Sequence, residues 1–285
     1  MTFELLVSCV KKDPHELAKT MNIASDAVIV SQQEENSSEE VFTFGGHRVH
    51  MLRSCTKGVG LNRNTCIEMS EADIILFSDE DIVYDEGYEA KVLKDFTDHP
   101  EADVILFNMR VCDERRTYRN KDYKKVGFYN CGRYPAYSIA ARAAKIKSSR
   151  IKFSLLFGGG AKYSNGEDSL FLRDCLKAGL NLLASPVELG EEVPRPSTWF
   201  FGYNDKIFYD RGVLYHFLYG GSAWLWGLRW VTKMRYDYVK DYSYKRALKM
   251  IFMGIKDGNL TDRVFEEGQY KGIKEKKYAI NKQSE

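Results

Sequence analysis

The stretch Ile74–Tyr84, IILFSDEDIVY, runs through four apolar residues and a serine before it ends in Asp79, Glu80 and Asp81. A short, partly β-branched apolar run bounded by polar residues predicts a buried strand in a sheet covered on both faces, with three acids at its exit. In open α/β sheets ligands bind outside the carboxyl ends of the strands, so these acids stand where a ligand is expected. Carboxylates crowded this closely repel one another unless a cation neutralises them. A hard divalent ion, Mn²⁺ or Mg²⁺, held by Asp79 and Asp81 does so and keeps positions open for a diphosphate. A solvated acidic turn capping the next helix explains the same triplet taken alone, so the flanking segments have to decide.

Those segments alternate strand-like and helix-like runs over the first two thirds of the chain, which predicts an α/β layered fold with a mostly parallel central sheet and flanking helices. The expected strands are Phe3 to Val10, Ala27 to Ser31, extended pieces at Val41 to Phe44 and Arg48 to Leu52, then Asp103 to Met109 and Asn181 to Val187. The expected helices are Pro14 to Asn22, Asn62 to Ser70, Tyr88 to Thr97, Ser138 to Ser148 and Asp168 to Ala178, the last closed by Gly179. Gln32 to Glu40 reads as a loop, Phe128 to Tyr137 is rich in Gly and Tyr, and Leu156 to Gly160 ends in three glycines. We divide the chain into an α/β domain over 1–200, with a first half to about 110 and a second from 111, and a C-terminal helical extension over 201–285.

The 285 residues, 44% of them hydrophobic, are enough for a sizeable core, and a net charge of +2 excludes neither acidic nor basic partners. Six scattered cysteines without a CxxC pair suit buried thiols in a reducing cytoplasm better than a disulfide framework or a zinc site. MTFELLVSCV has neither a basic leader nor a long apolar core, so no secretory signal or membrane span is expected. From Lys206 to Lys256 the acids are Asp210, Asp237 and Asp241 against ten Lys or Arg, interleaved with aromatics. Two readings stand side by side. An interfacial helix pair would rest on an anionic membrane with Trp224, Trp226 and Trp230 at headgroup depth, or the aromatics simply complete the core. A recognition module for nucleic acid is missing, and nucleic acid is not an expected partner.

Taken together, GVGLNRNTCIEMSEADIILFSDEDIVY resembles the region through the DxD motif of family 2 glycosyltransferases of the GT-A fold, with Gly60, Leu61, Asn62, Arg63 and Asn64 filling the turn that opens a helix. GGGAKYSNGEDSLFLRDCLKAGLNL is similar to the acceptor-side segment of that family, whose Glu-Asp pair is here Glu167 and Asp168. The start, LLVSCVKKDPHELAKTMNIASDAVIVSQQ, resembles a bacterial subgroup, although the common Asp-Asp after the second strand is replaced by Ser31, Gln32 and Gln33.

The resemblance implies that 1–200 is a catalytic domain, with its donor half to about 110 and its acceptor half from 111, of a metal-dependent hexosyltransferase that uses a nucleotide-sugar donor, a UDP-sugar in kind, and acts on a glycan or lipid-linked oligosaccharide in bacterial capsule, exopolysaccharide or O-antigen assembly. Such an enzyme works at the cytoplasmic face of the membrane. Ser8, Gln32, Arg63, Asp79 and Glu80 then form the donor side, with Asp79 and Asp81 on the metal. Glu167, Gly159 and Trp199 form the acceptor side, and Asp168 is the general base of an inverting displacement. Each has a plainer alternative. Arg63 could pair on a helix surface with Glu68 or Glu71, Gln32 could face water, Asp168 could be the N-cap of its helix, and Trp199 with Phe200 could be core. A nucleotidyltransferase and a non-catalytic carbohydrate-binding scaffold are the rival functions, the former lacking its Gly-rich phosphate loop after the first strand.

Overall fold

The computed structural model describes residues 1–194 and 202–261. β1 (Phe3–Val10) is buried almost throughout and feeds α1 (Pro14–Thr20), which starts where the Asp13 side chain accepts from the Glu16 amide and Pro14 fixes the first turn. β2 (Ala27–Gln32) lies parallel to β1, with Leu5 opposite Ala27. β3 (Ser38–Phe44) and β4 (His47–Arg53) form a hairpin on the sheet edge, and β4 runs parallel to β2. After α2 (Val59–Met69) the chain returns as β5 (Ile74–Asp79), parallel to β1 on its other side. The carboxyl ends of β1, β2 and β5 therefore share one rim of the sheet.

The second half adds β6 (Ile82–Tyr84), α3 (Tyr88–Asp98), β7 (Val104–Arg110), β8 (Lys124–Val126), β9 (Ile139–Arg142), α4 (Ala143–Ser148), α5 (Glu167–Lys177) and β10 (Leu182–Glu192). The strand order is β3-β4-β2-β1-β5-β9-β7-β10-β6, with β8 also on β10. β9 is antiparallel to both its neighbours, β7 and β10 are parallel, and the sheet is mostly parallel at its centre. Residues alternate between two cores. Leu5, Val7, Ile29 and Leu76 face Tyr88, Val92 and Phe96, whereas Leu6, Val28, Ile75 and Phe77 face Cys66, Ile67, Phe171 and Leu172. Both faces being covered is why these strands are continuous apolar runs.

Several boundaries differ from the sequence expectation. The acidic stretch is two strands: β5 stops at Asp79, and Ile82–Tyr84 turns away to pair antiparallel with Gly190–Glu192 of β10. Ser138 to Ser148 is not one helix, because Ile139, Ala140 and Ala141 are wedged between β5 and β7, and burial in a ladder overrides the helix preference of alanine. The loop from Gln32 yields to β3 at Ser38, and β10 runs on past Val187 to Glu192. Gly60 to Asn64 is not a turn but lies inside the opening of α2, whose N-cap is Gly58.

The C-terminal part forms α6 (Asp205–Tyr219), α7 (Ala223–Lys233), α8 (Arg235–Tyr238) and α9 (Tyr244–Gly258) around a third core that takes in Leu156, Phe157, Tyr163 and Leu170. α6 and α9 meet backbone to backbone: a Cβ on Gly254 would stand 2.1 Å from the Tyr209 carbonyl and one on Gly212 2.2 Å from that of Ile251. Two of the three tryptophans expected at headgroup depth are instead packed. Trp226 stacks on Tyr219 at 4.7 Å and Trp230 meets Phe208 edge-on at 5.6 Å, while Trp224 is 53% exposed. No helix among the described residues is long and apolar enough to cross a membrane.

Candidate active site

Arg63, in the first turns of α2, organises the site. It is 4% exposed, lies with its guanidinium carbon 5.3 Å from the Phe153 ring centre, and points at the rim where β5 ends. Its Nη2 donates to Asp79 Oδ1 at 2.7 Å and its Nη1 to Glu167 Oε1 at 2.8 Å. Burial alone would lower the guanidinium pKa, but the charges of Asp79 and Glu167 outweigh it and hold Arg63 protonated. The surface pairing with Glu68 or Glu71 does not occur. Glu68 pairs with Lys152 at 3.0 Å on the far side of the helix.

α2 is held in place from both flanks. The Gln32 amide oxygen accepts from the Gly58 amide at the helix start, so this half of the expected base contact is occupied, and Gln32 is buried rather than facing water. Asn64 exchanges two hydrogen bonds with the Phe153 backbone, at 2.7 and 2.9 Å. Asn62 donates to the carbonyls of Val30 at 3.1 Å and Cys9 at 3.4 Å. Glu80 accepts from the Val10 amide at 2.9 Å, with Lys12 4.0 Å away, and so ties the exit of β1 to that of β5.

Three polar atoms in this rim are buried without a hydrogen-bond partner: Ser8 Oγ, Asn62 Oδ1 and Arg63 Nε. Ser8 stands opposite both Val30 and Asp79 in the strand register. Unpaired buried polar groups cost free energy in a folded protein, so three of them at one strand rim mark a place prepared for a polar ligand. Outside them, at the exits of β1 and β2, a cleft of about 330 Å³ is lined by Lys11, Glu34, Glu35, Asn36, Ser38 and Arg53. In the sequence this cleft is not singled out, and Asn62 figures only as part of the turn that opens a helix. Asn62 reads as an ordinary helix-start residue there, and the cleft depends on backbone turns at Lys11 and Gln33, both with positive φ, that composition does not announce.

As a metal site the rim fits by donor type. Asp79 and Asp81 are partly exposed carboxylates, and Mg²⁺ is commonly held by one or two of these with phosphate and water completing its shell. Among the described residues no three His, Cys, Asp or Glu side chains gather as a metal-binding group.

Across Arg63 lies the first turn of α5. Its N-cap is Gly166, at φ 118°, where an added Cβ would also strike Leu214 at 2.5 Å, so Asp168 is not the cap and its presence needs another reason. Glu167 is 8% exposed and its second oxygen accepts from the Gly166 amide at 3.1 Å. Asp168 is half-buried and accepts from the Ser169 amide at 2.6 Å. Desolvation, then the charge of Glu167, push its pKa up to about 7 against the pull of Arg63 and Ser169. Gly159 is exposed beside Gly58, and its carbonyl accepts from the Val59 amide at 3.0 Å. Trp199 lies outside the described residues. The structure thus joins Arg63, Asp79, Glu167 and Asp168 in one constellation with Ser8 beside it, and gives Gln32 and Glu80 to the support of its loops.

Residues 27–153 match the model of Glycosyl transferase family 2. Among solved structures the chain is similar to the S. aureus protein TarS. Residues 1–349 of TarS in complex with UDP-GlcNAc align with a TM-score of 0.57 and 13% identity over 85% of this chain and 74% of that one. The complex with UDP gives 0.57 and 14% over the same shares, and a further structure of TarS residues 1–349 gives 0.52 and 13% over 94% and 98%. No curated protein matches the chain in sequence. Over residues 27–153 the chain is similar to Glycosyl transferase family 2, and its fold is the GT-A fold.

Proposed function

We propose that the chain is an inverting hexosyltransferase that moves a sugar from a nucleotide-diphosphate donor, a UDP-sugar, to a glycan acceptor in the assembly of a bacterial surface polysaccharide. The observation that carries this reading is the Arg63 bridge, which ties the carboxylate at the exit of β5 to the helix turn bearing Asp168. Donor and acceptor chemistry then share one rim. The TarS complexes with UDP-GlcNAc and UDP support a uridine nucleotide as the donor type.

In this mechanism Ser8, Asn62 and the rim of β1 receive polar groups of the donor, and Asp79 and Asp81 would hold a divalent ion. A bound Mn²⁺ or Mg²⁺ supplies positive charge for the departing diphosphate. Asp168, ionised above neutrality, takes the proton of an acceptor hydroxyl as its oxygen bonds to the anomeric carbon. The bond from that carbon to the diphosphate oxygen breaks on the opposite face, and nucleoside diphosphate leaves with its electron pair. Base and leaving group on opposite faces give inversion.

The test is release of nucleoside diphosphate by the purified chain over a panel of nucleotide sugars with Mn²⁺, with Mg²⁺ and with chelator. Metal-dependent release from one donor is expected. Pyrophosphate as the product would overturn the reading in favour of nucleotidyl transfer, and silence with no nucleotide binding by calorimetry would favour a scaffold.

A further inference from the structure

The helical extension leaves one surface that its own core does not explain. On α7 the residues facing inward are Ala223, Gly227 and Val231, while Trp224 (53% exposed), Leu225 (51%) and Leu228 (39%) face out. Gly227 packs against Ile251 and Ile255 of α9, and the Thr232 hydroxyl meets that of Tyr244, so the two helices run antiparallel side by side. That register sets the apolar stripe of α7 beside the outer face of α9, which carries Lys245, Lys249, Phe252 and Lys256 at intervals of about one helical turn, all exposed.

The charge on this surface is mostly positive. From Ala223 to Gly258 the acids are Asp237, Asp241 and Asp257, against Arg229, Lys233, Arg235, Lys240, Lys245, Arg246, Lys249 and Lys256. Asp257 is turned inward to the Tyr209 hydroxyl at 3.0 Å, and Arg246 is taken by Asp205 at 2.6 Å. Arg229, Lys233, Lys245, Lys249 and Lys256 form no ion pair among the described residues. Exposed Trp and Leu ringed by unpaired cations complement an anionic bilayer, where the apolar side chains enter the interface and the ammonium groups meet lipid phosphate. A single exposed leucine needs no explanation, whereas Trp224, Leu225, Leu228 and Phe252 lie on neighbouring faces.

We infer that the outer face of α7 and α9 docks the protein on an anionic lipid bilayer. The inference rests on the acceptor reading above only for its purpose. α6 packs through Leu214 on the Gly166 turn that begins α5, so docking by this extension brings membrane-borne acceptors to the side of the site that holds Asp168.

The experiment is co-sedimentation of the full chain with vesicles of phosphatidylcholine alone and with added phosphatidylglycerol, at low and high salt. Pelleting with the anionic vesicles and weakening by salt are expected. The double variants W224S/L228S and K245E/K249E should each reduce binding about tenfold or more, with melting temperatures near that of the parent because all four positions are exposed. The variant D168N should bind vesicles like the parent, so a failed catalytic reading leaves this result standing, and the reverse also holds. Equal partition onto both vesicle types, or undiminished binding by both double variants, would overturn the inference. So would a dimer of the parent that the same substitutions dissolve, since the face would then be covered by a second copy.

Discussion

Arg63 and Glu167 lie 104 residues apart in the chain, yet Nη1 of one donates to Oε1 of the other at 2.8 Å inside the protein. With Asp79 on its second nitrogen, the guanidinium is the physical joint between the strand rim and the helix of Asp168. A lysine has one compact ammonium and cannot span both carboxylates. Arg63→Lys is therefore expected to leave one acid inadequately paired in the interior and to lower stability by about 2–4 kcal/mol, read by urea unfolding. Misplacement of Asp168 should cut kcat/KM by about tenfold or more. Parental stability and turnover in this variant would show that the bridge is incidental.

Asp168→Asn keeps the shape of the helix turn but cannot take a proton. Transfer should fall by about 10²–10⁴-fold while calorimetric affinity for the donor nucleotide stays within about twofold. Near-normal transfer would remove Asp168 from the role of base.

The pH dependence follows from the same group. With its pKa raised to about 7, Asp168 is protonated and inactive below that value, so kcat/KM should rise with pH through about 7 and level off above it. Glu167→Gln removes one of the charges that raise it, and the acid limb should move to lower pH. The sign for stability is opposite. A folded pKa above the unfolded value of 3.8 means that this group's contribution is full below 3.8 and is lost as pH rises through about 7. Asp168→Asn should thus melt a few degrees above the parent at pH 8 and close to it at pH 4, by differential scanning calorimetry.

The fit between α6 and α9 yields a prediction about the extension alone. Gly254→Ala puts a methyl group 2.1 Å from the Tyr209 carbonyl, which is backbone and cannot swing aside. The variant should lose about 1–3 kcal/mol, detected as earlier proteolysis within residues 202–261 rather than in the sheet. Unchanged proteolysis would mean that the helices shift apart at no cost.

How much of this was legible beforehand depends on which residues make the contact. β1 and β5 could be read because burial on both faces demands continuous apolar runs, and the acids at Asp79 and Asp81 followed from where β5 had to end. Ile139–Arg142 could not, since an alanine-rich segment has helical preference and becomes a strand only through two neighbours distant in sequence. The Asp168 turn was visible as a Gly-Glu-Asp signal, but not that Gly166 caps the helix. The role of Arg63 was hidden for a similar reason: helix spacing offers Glu68 as a partner, while its actual partners are reached only after the chain has folded. On α7, composition gave the aromatic content and the structure divided it, turning Trp226 and Trp230 inward and Trp224 outward.

The two acids at the exit of β5 can be told apart by experiment. Both Asp79→Asn and Asp81→Asn should abolish the gain in donor affinity that Mn²⁺ confers, and chelator should bring the parent to the same level, if hard oxygen donors on this rim hold the ion. Asp79 is a partner of buried Arg63, so Asp79→Asn weakens a buried ion pair and should cost about 1–3 kcal/mol. Asp81 sits at the turn between β5 and β6, where its backbone carbonyl accepts from the Val193 amide at 2.8 Å. Asp81→Asn preserves that backbone bond. A metal response retained in both variants would move the ion away from this rim, whereas one lost only in Asp79→Asn would make Asp79 its principal ligand.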